Sequence, residues 1–173
     1  MTFTIMLVMV TYMPFYFITI LATFLLLFVG GQPEPPAQCV RISVADKDGM
    51  ISKGSGAYIG PKTVVTANHV VADRKSGRVE VKFPQCGVIE GTVEVTNKGV
   101  DIAFITLDEE PSCVPLVVNM ELIDGEELSV HGYGSGTYDT KVGKLSKTKF
   151  VGKPWRKVTG AKARSGDSGG PIL

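Results

Sequence analysis

The chain has 173 residues, with 18 Lys or Arg against 17 Asp or Glu, so its formal net charge is +1 when the histidines are neutral. This length allows one ordinary domain or two small ones. Because the basic residues form no clustered excess, the composition argues against a nucleic-acid-binding surface, and we expect no nucleic-acid partner.

The first 33 residues contain no Asp, Glu, Lys, Arg or His. Their apolar run, TFTIMLVMVTYMPFYFITILATFLLLFVGG, exceeds the roughly 20 residues that a membrane-spanning helix needs. We therefore predict a transmembrane helix over residues 1–30, with residues 2–30 in contact with the membrane. A cleaved signal peptide or a truncated gene start is the alternative, although a signal peptide usually has a basic start and a shorter apolar core.

The basic residues nearest to this run, Arg41, Lys47 and Lys53, all follow it. Under the positive-inside rule, this asymmetry favours a cytoplasmic location for the remainder of the chain. We expect a single-pass membrane protein whose C-terminal part lies in the cytoplasm. A Gly- and Pro-rich linker is predicted between the two parts, over residues 31–38.

Beyond the linker, short runs rich in Val, Ile, Thr, Phe and Tyr alternate with turn residues, which is typical of an all-β barrel or sandwich. A first series has six predicted strands and a second has about three, with two prolines interrupting the pattern between them. We predict one β-unit over residues 39–114 and another over 115–173. The predicted strands lie in CVRISVAD, GSGAYIG, KTVVTAN, RVEVKF, GTVEVTN, DIAFITLD, ELSVHGYG, KVGKLSKTKF and WRKVTGAKA.

The three cysteines, Cys39, Cys86 and Cys113, are too few and odd in number for a disulfide framework. No CxxC pair or His/Cys cluster suggests zinc, so we expect no metal site. We interpret the cysteines as small buried residues, which agrees with a reducing compartment.

Three motifs supply the groups that acyl transfer by a serine requires, namely a base, a carboxylate that orients it and a nucleophile beside backbone donors. His69 lies in VVTANHVVA, where a predicted strand meets a turn. Asp101 opens the apolar run DIAFITL, and Ser168 lies in GDSGGP, where small residues permit a tight turn that directs successive N–H groups to one point. Separately, each residue also has an ordinary structural explanation, as a loop histidine, a turn cap and a turn serine. The other histidine, His131 in SVHGYG, is interpreted as structural.

In order and local context these motifs resemble those of the chymotrypsin-fold, or trypsin-like, serine proteases. TANHV is similar to the family's histidine motif, DIAFITL to its aspartate strand, GDSGGP to its nucleophile turn and GSGAYIG to the strand before the histidine. The resemblance implies an all-β double barrel with catalytic residues His69, Asp101 and Ser168 in the cleft between the barrels. It also implies an oxyanion hole formed by the N–H groups of Gly166 and Ser168, and no cofactor.

Two departures narrow the resemblance. Val70 follows the histidine where the secreted digestive branch usually has a cysteine, and nothing resembles that branch's cleaved activation site. Asp167 therefore cannot pair with a released N-terminal amine, and its partner is left open. We expect a protease that folds in an active form without zymogen processing.

The apolar front segment and the short spacing of the triad most resemble the sobemovirus-type viral proteases, which process their own polyprotein. The alternative is a membrane-anchored bacterial stress protease, a group that typically carries Asn where this chain has Asp167. The family has further strands after the serine, so we expect a fragment whose second barrel is truncated after the nucleophile turn. As it stands, such a fragment could lack activity.

Lys162 and Arg164 precede the nucleophile turn, near the position where the family's specificity pocket would have its base. If they line that pocket, they would favour an acidic residue before the scissile bond; otherwise they are two solvated surface charges. Ala163 replaces a threonine common in the viral group, so specificity is not carried over. We predict a membrane-anchored serine endopeptidase with a polypeptide substrate, its own polyprotein being a candidate. A catalytically inert membrane-tethered scaffold is the competing hypothesis.

Overall fold

The computed structural model describes residues 34–74, 76–119, 121–149 and 156–173. The predicted transmembrane helix over residues 1–30 lies outside these ranges, as does the beginning of the predicted linker. Within the described ranges no helix combines the length and the apolar character that a membrane crossing requires. The membrane anchor therefore stays a prediction.

The described part of the chain is all-β apart from single helical turns, as the sequence predicted. Strands form where apolar and polar residues alternate, because successive side chains point to opposite faces; in one strand Val79, Val81 and Phe83 are buried and their neighbours exposed. Nine strands are described, β1 (Cys39–Ala45), β2 (Ile51–Gly60), β3 (Thr63–Ala67), β4 (Arg78–Phe83), β5 (Gly87–Asn97), β6 (Ile102–Leu107), β7 (Glu127–Gly132), β8 (Asp139–Lys149) and β9 (Arg156–Thr159), together with helix α1 (Asn68–Val71) and a 3₁₀ turn (Gly134–Gly136).

The first six strands form a closed antiparallel barrel in the order β1-β2-β3-β6-β5-β4. Pairing between β1 and β4 closes it, so each barrel strand has a hydrogen-bonded neighbour on both sides. The rings of Tyr58 and Phe83 meet edge to face inside, with centroids 5.6 Å apart. The interior is apolar and consists of Val40, Ile42, Val44, Tyr58, Val64, Val71, Val79, Val81, Phe83, Ile89, Val93, Ala103, Ile105 and Leu107.

The second predicted β-unit contains a three-stranded antiparallel sheet in the order β7-β8-β9. Its β7 edge is extended by the residues after the serine turn, because Val130 forms a bridge with Ile172 and the His131 N–H donates to the Pro171 carbonyl at 3.0 Å. The segment that directly follows the serine turn is therefore fixed to β7. A connection containing Pro111 and Pro115 joins the barrel to this sheet and forms no strand in its described part, as predicted.

All three cysteines are free thiols. Cys39 is buried, whereas Cys86 and Cys113 are partly buried and pack against the barrel interior. Burial, with a smaller effect of the Asp167 charge, raises the pKa of the Cys39 thiol to about 12, so this thiol is protonated at neutral pH. Among the described residues, no cluster of His, Cys, Asp and Glu could hold a metal ion.

Candidate active site

His69 and Asp101 are brought together by the pairing of β3 with β6. Strand β3 leads directly into α1, which carries His69, and Ala67 is paired with Ile102, the residue that follows Asp101. One carboxylate oxygen, Oδ2, lies 2.7 Å from His69 Nδ1, and the other, Oδ1, accepts the His69 backbone N–H at 2.9 Å. Asp101 therefore holds both the ring and the backbone of the same histidine.

Asp101 occupies an uncommon backbone conformation, with a φ of 56°. Asp tolerates this left-handed region better than most residues, and the Asn68 N–H donates to the Asp101 carbonyl at 3.1 Å, which holds the turn. Partial burial raises the pKa of the Asp101 carboxyl, but hydrogen bonds from His69 lower it more, so the pKa lies below its ordinary value. The ionised Asp101 carboxylate accepts a hydrogen bond from the protonated Nδ1 of His69. The other ring nitrogen, Nε2, can then accept a proton.

The turn that carries Ser168 depends on glycines with positive φ, 96° at Gly166 and 83° at Gly169. A Cβ atom at Gly169 would overlap the Thr66 hydroxyl and would lie 2.7 Å from the Ala67 nitrogen. The turn therefore packs directly against β3, two residues before His69.

Ser168 is held to the barrel through its backbone, because its carbonyl accepts the N–H of Ser55 in β2 at 2.9 Å. No hydrogen bond between the Ser168 hydroxyl and the His69 ring is recorded among the described residues. Such bonds are often long in unliganded enzymes and shorten in the substrate complex. The structure thus joins His69 and Asp101 by direct hydrogen bonds and packs the Ser168 turn against β3, the strand that leads to His69.

Several N–H groups in the described backbone of the turn have no recorded acceptor, among them those of Gly166 and Ser168. The Asp167 N–H donates to the Arg164 carbonyl at 3.0 Å, whereas the N–H groups of Gly166 and Ser168 have no recorded acceptor in the part of the chain that the structure describes. These are the two groups that the sequence analysis predicted for an oxyanion hole. N–H groups fixed in position and without an internal acceptor can stabilise a negative oxygen during a reaction.

Ser55, which sequence analysis did not identify, positions this turn. Its buried hydroxyl donates to the Gly166 carbonyl at 2.6 Å and accepts the Tyr133 N–H at 2.8 Å. The Ser55 carbonyl accepts the hydroxyl of Thr66 at 2.7 Å. The available signal was a hydroxyl flanked by two glycines inside a predicted strand.

Asp167 finds its partner in Lys141 of β8, which answers the question that the sequence left open. The Lys141 ammonium lies 2.6 Å from Asp167 Oδ2, and only 2% of the aspartate side chain is exposed. The N–H groups of Arg164 and Gly134 donate to Oδ2 and Oδ1, each at 2.7 Å. Burial raises the pKa of the Asp167 carboxyl, but Lys141 and these N–H groups lower it more, so Asp167 is ionised at neutral pH.

Val70 and Gly54 pack together where the secreted digestive branch would use its cysteine. A Cβ atom at Gly54 would lie only 2.5 Å from Val70 Cγ1, so the absence of a side chain at residue 54 is what admits the valine. Here, α1 is held against β2 by apolar contact.

The two cations predicted to influence specificity differ in their surroundings. The Arg164 guanidinium donates to Asp139 Oδ2 at 2.6 Å, so its charge is paired. Lys162 is exposed, and no partner for its side chain is recorded within the described ranges. Their role in specificity stays a prediction.

His131 is buried and is hydrogen-bonded to Tyr138 and Ser129 through its two ring nitrogens, at 2.7 and 3.0 Å. Burial lowers its pKa, so the ring is neutral at physiological pH. These contacts support the structural interpretation of this histidine.

Residues 54–173 match the family model described as a trypsin-like peptidase domain. Among solved structures, the active form of the Rv3671c protease from M. tuberculosis is 25% identical, with a TM-score of 0.65 over 79% of this chain and 65% of that one. Its inactive form has the same identity and a TM-score of 0.61, covering 72% of that chain. The HtrA-type protease AlgW, solved with a tripeptide, is 17% identical, with a TM-score of 0.66 over 81% of this chain and 48% of that one; this likeness concerns the fold alone.

No curated protein matches the chain in sequence. The family match nevertheless covers more than half of the chain, and the solved structures share its fold. The predictions of a chymotrypsin-like fold and of a serine-type peptidase are therefore confirmed. This chain belongs to the trypsin-like peptidase family.

Proposed function

We propose that the protein hydrolyses peptide bonds within polypeptides, with Ser168 as nucleophile, His69 as base and Asp101 as the group that orients His69. The observation that carries this proposal is the pair of hydrogen bonds that the Asp101 carboxylate accepts from His69, next to the strand β3 against which the Ser168 turn packs. Among the described residues this is the only recorded pair of a histidine with a carboxylate, because His131 contacts Tyr138 and Ser129.

In this mechanism Ser168 Oγ attacks the scissile carbonyl carbon while His69 Nε2 takes the hydroxyl proton. The negative oxygen of the tetrahedral intermediate accepts hydrogen bonds from the N–H groups of Gly166 and Ser168. His69 then gives its proton to the leaving amine, and an acyl-enzyme remains. Water, activated by His69, attacks the acyl-enzyme and regenerates the Ser168 hydroxyl.

We further propose that the protein becomes active on folding, without cleavage of a pro-segment. The buried Lys141–Asp167 pair supports this, because an internal ammonium neutralises the aspartate beside the nucleophile. The N–H groups of Arg164 and Gly134 donate two further hydrogen bonds to the carboxylate. A released N-terminal amine is then not needed to fix the turn.

Processing of a polyprotein is the biological role that we favour, by a protein tethered to a membrane through residues 2–30 with its protease domain in the cytoplasm. The apolar first segment and the presence of aspartate at position 167 support this role. A membrane-anchored bacterial stress protease is the second candidate, favoured by the likeness to the Rv3671c protease of M. tuberculosis.

Labelling with a fluorophosphonate tests the chemistry directly. We expect the full chain to be labelled and to cleave casein, and Ser168→Ala to abolish both. The control is Ser52→Ala, which removes an exposed hydroxyl of β2 outside the turn and should leave both intact. Labelling that persists in Ser168→Ala, or that is absent from the folded wild-type chain, would contradict the proposal and favour an inert scaffold.

The two biological roles separate when the protein is expressed within its native reading frame. Polyprotein processing predicts self-cleavage at defined junctions, lost in Ser168→Ala. A stress-protease role predicts an intact chain that cleaves unfolded proteins supplied in trans. Flotation with liposomes, compared with a variant that lacks residues 2–30, tests the membrane tether.

A further inference from the structure

A pocket opens beside the Ser168 turn. Its volume is about 250 Å³, and one wall is formed by Gly166, a proposed oxyanion donor. The opposite wall comes from the first residues of β2. The lining residues are Ile51, Lys53, Ser135, Gly136, Ser165 and Gly166.

The path of β2 places this pocket relative to the scissile bond. Gly54 packs against Val70, the residue after the proposed base His69, and Ser55 binds the turn through the carbonyls of Gly166 and Ser168. This part of β2 therefore runs from the histidine to the nucleophile turn. Because the base gives its proton to the leaving amine, residues after the scissile bond lie on this side of the site.

Lys53 is an unpaired cation in the lining of the pocket. Its side chain is exposed, and the structure records no ion pair or hydrogen bond for it within the described part of the chain. The other cations near the turn differ in this respect, because Lys141 is paired with Asp167 and Arg164 with Asp139. The charge of Lys53 is thus available to a ligand.

Arg41 adds a second unpaired charge on the same side. It lies opposite Ser55 in the β1–β2 register, and its Nη1 donates to the carbonyl of Gly136, a lining residue, at 3.4 Å. Its Nε atom is buried without a hydrogen-bond partner, and no carboxylate is recorded beside it among the described residues. Two cations without acidic partners therefore flank one pocket.

We propose that this pocket binds the carboxylate of an Asp or Glu in the first two substrate residues after the scissile bond, and that Lys53 determines this preference. Two unpaired cations beside a pocket of side-chain size match an acidic side chain in charge. The inference rests on the proposed function and deepens it. It differs from the predicted role of Lys162 and Arg164, which would act before the scissile bond.

Competition between water and an added amine for the acyl-enzyme tests binding on the leaving-group side of the site alone. The full chain is acylated with a peptide ester, and dipeptide amides that carry Glu or Gln at the first or second position compete with water. The acceptor amine attacks the acyl carbon, His69 takes the amine proton, and Ser168 Oγ leaves with that proton as the hydroxyl. The ratio of new peptide to hydrolysed acid then measures how well each acceptor binds.

We expect Glu acceptors to outcompete their Gln counterparts by roughly two- to fivefold at low ionic strength, the range for an exposed ion pair. Lys53→Ala should bring this ratio close to one, and Lys53→Glu should make a lysine acceptor the better one. Added salt should weaken the preference, because exposed charges are screened. Lys82→Ala, which removes an exposed lysine of β4 that lines no part of this pocket, should keep the wild-type ratio.

Equal ratios for Glu and Gln acceptors in the wild-type protein would overturn this inference while the acylation itself still supports the proposed function. A Glu preference that survives in Lys53→Ala would also overturn the role of Lys53. Absence of any acyl-enzyme, with Ser168 unlabelled by fluorophosphonate, would reject the proposed function and this inference with it.

Discussion

Inside the closed barrel the packed side chains are apolar, whereas the buried side chains around the Ser168 turn are polar or charged. Fourteen residues from Val40 to Leu107 form the barrel cluster. Asp167 lies in the turn, and Ser55 and Thr66 contact it. Two further buried polar residues lie close by, since Asn68 precedes His69 and the His131 N–H donates to the Pro171 carbonyl after the turn.

The two regions should therefore respond differently to substitution. Apolar packing is non-directional, so a small loss of volume in the barrel lowers stability with little effect on geometry elsewhere. A buried hydrogen-bonded group has a fixed direction, and removal of its partner leaves an unsatisfied group that costs free energy. Near the turn, stability and activity should be lost together.

Lys141→Ala should produce the largest effect, because it leaves the Asp167 carboxylate buried without its cation. Removal of one member of a buried ion pair typically costs about 3–5 kcal/mol of unfolding free energy. We also expect loss of fluorophosphonate labelling. Urea unfolding and labelling measure the two effects, and Lys144→Ala, an exposed lysine of the same strand, is the matched control.

The double variant Lys141→Met/Asp167→Asn removes both charges and should recover most of the stability, since neither side chain is left as an unpaired ion. If Lys141→Ala were as stable and as well labelled as the wild-type protein, the pair would not be what holds the turn.

Ser55→Ala should have an intermediate effect that joins the two regions. It leaves the Tyr133 N–H without its acceptor and the Gly166 carbonyl without its donor, at a cost of roughly 1–3 kcal/mol. Because Gly166 is a proposed oxyanion donor, we expect kcat to fall while KM changes little. Ser52→Ala is the control in the same strand. A loss of stability with unchanged kcat would show that Ser55 is structural only.

Ile105→Val should have a smaller effect, confined to stability. Ile105 is fully buried in the barrel, and removal of one methylene there typically costs about 0.5–1.5 kcal/mol. We expect labelling and kcat at 25 °C to equal those of the wild-type protein, measured beside the change in unfolding free energy. A large fall in kcat with a small loss of stability would break the distinction between the regions.

The same distinction explains what the sequence could predict. The strands were predicted from runs rich in Val, Ile, Thr, Phe and Tyr between turn residues. Three of them begin earlier than predicted, β2 at Ile51, β5 at Gly87 and β8 at Asp139, and the first three residues of β2 are exposed and show no alternation. The proposed triad was found because each member lies in a short motif of its own. Ser55 and Lys141 were missed because they act on residues 111 and 26 positions away, and their own surroundings carry no mark of this.

Lowering the pH should have a smaller effect on the free energy of unfolding than these substitutions, as long as the pH stays near neutral. Like them, it distinguishes the turn from the barrel. Burial raises the pKa of the Asp167 carboxyl, but Lys141 and backbone donors outweigh this, so its native pKa lies below that of the unfolded chain. Between these two values the unfolded chain binds a proton that the native protein does not, and stability rises with pH. The contribution is therefore complete above the unfolded pKa, about 3.9 for Asp, and is lost as the pH falls below it towards the native value.

Urea unfolding at a series of pH values from neutral to acidic measures this loss. The double variant Lys141→Met/Asp167→Asn lacks the titrating pair, so its stability should fall less steeply below about pH 4. A slope remains in both proteins, since two other pKa values are also lowered in the folded state. Hydrogen bonds from His69 outweigh the partial burial of Asp101, and the Arg78 guanidinium lowers the pKa of the exposed Asp108. Identical slopes in the two proteins would mean that Asp167 gains nothing from Lys141 on folding, and the turn would then need another explanation for its buried charge.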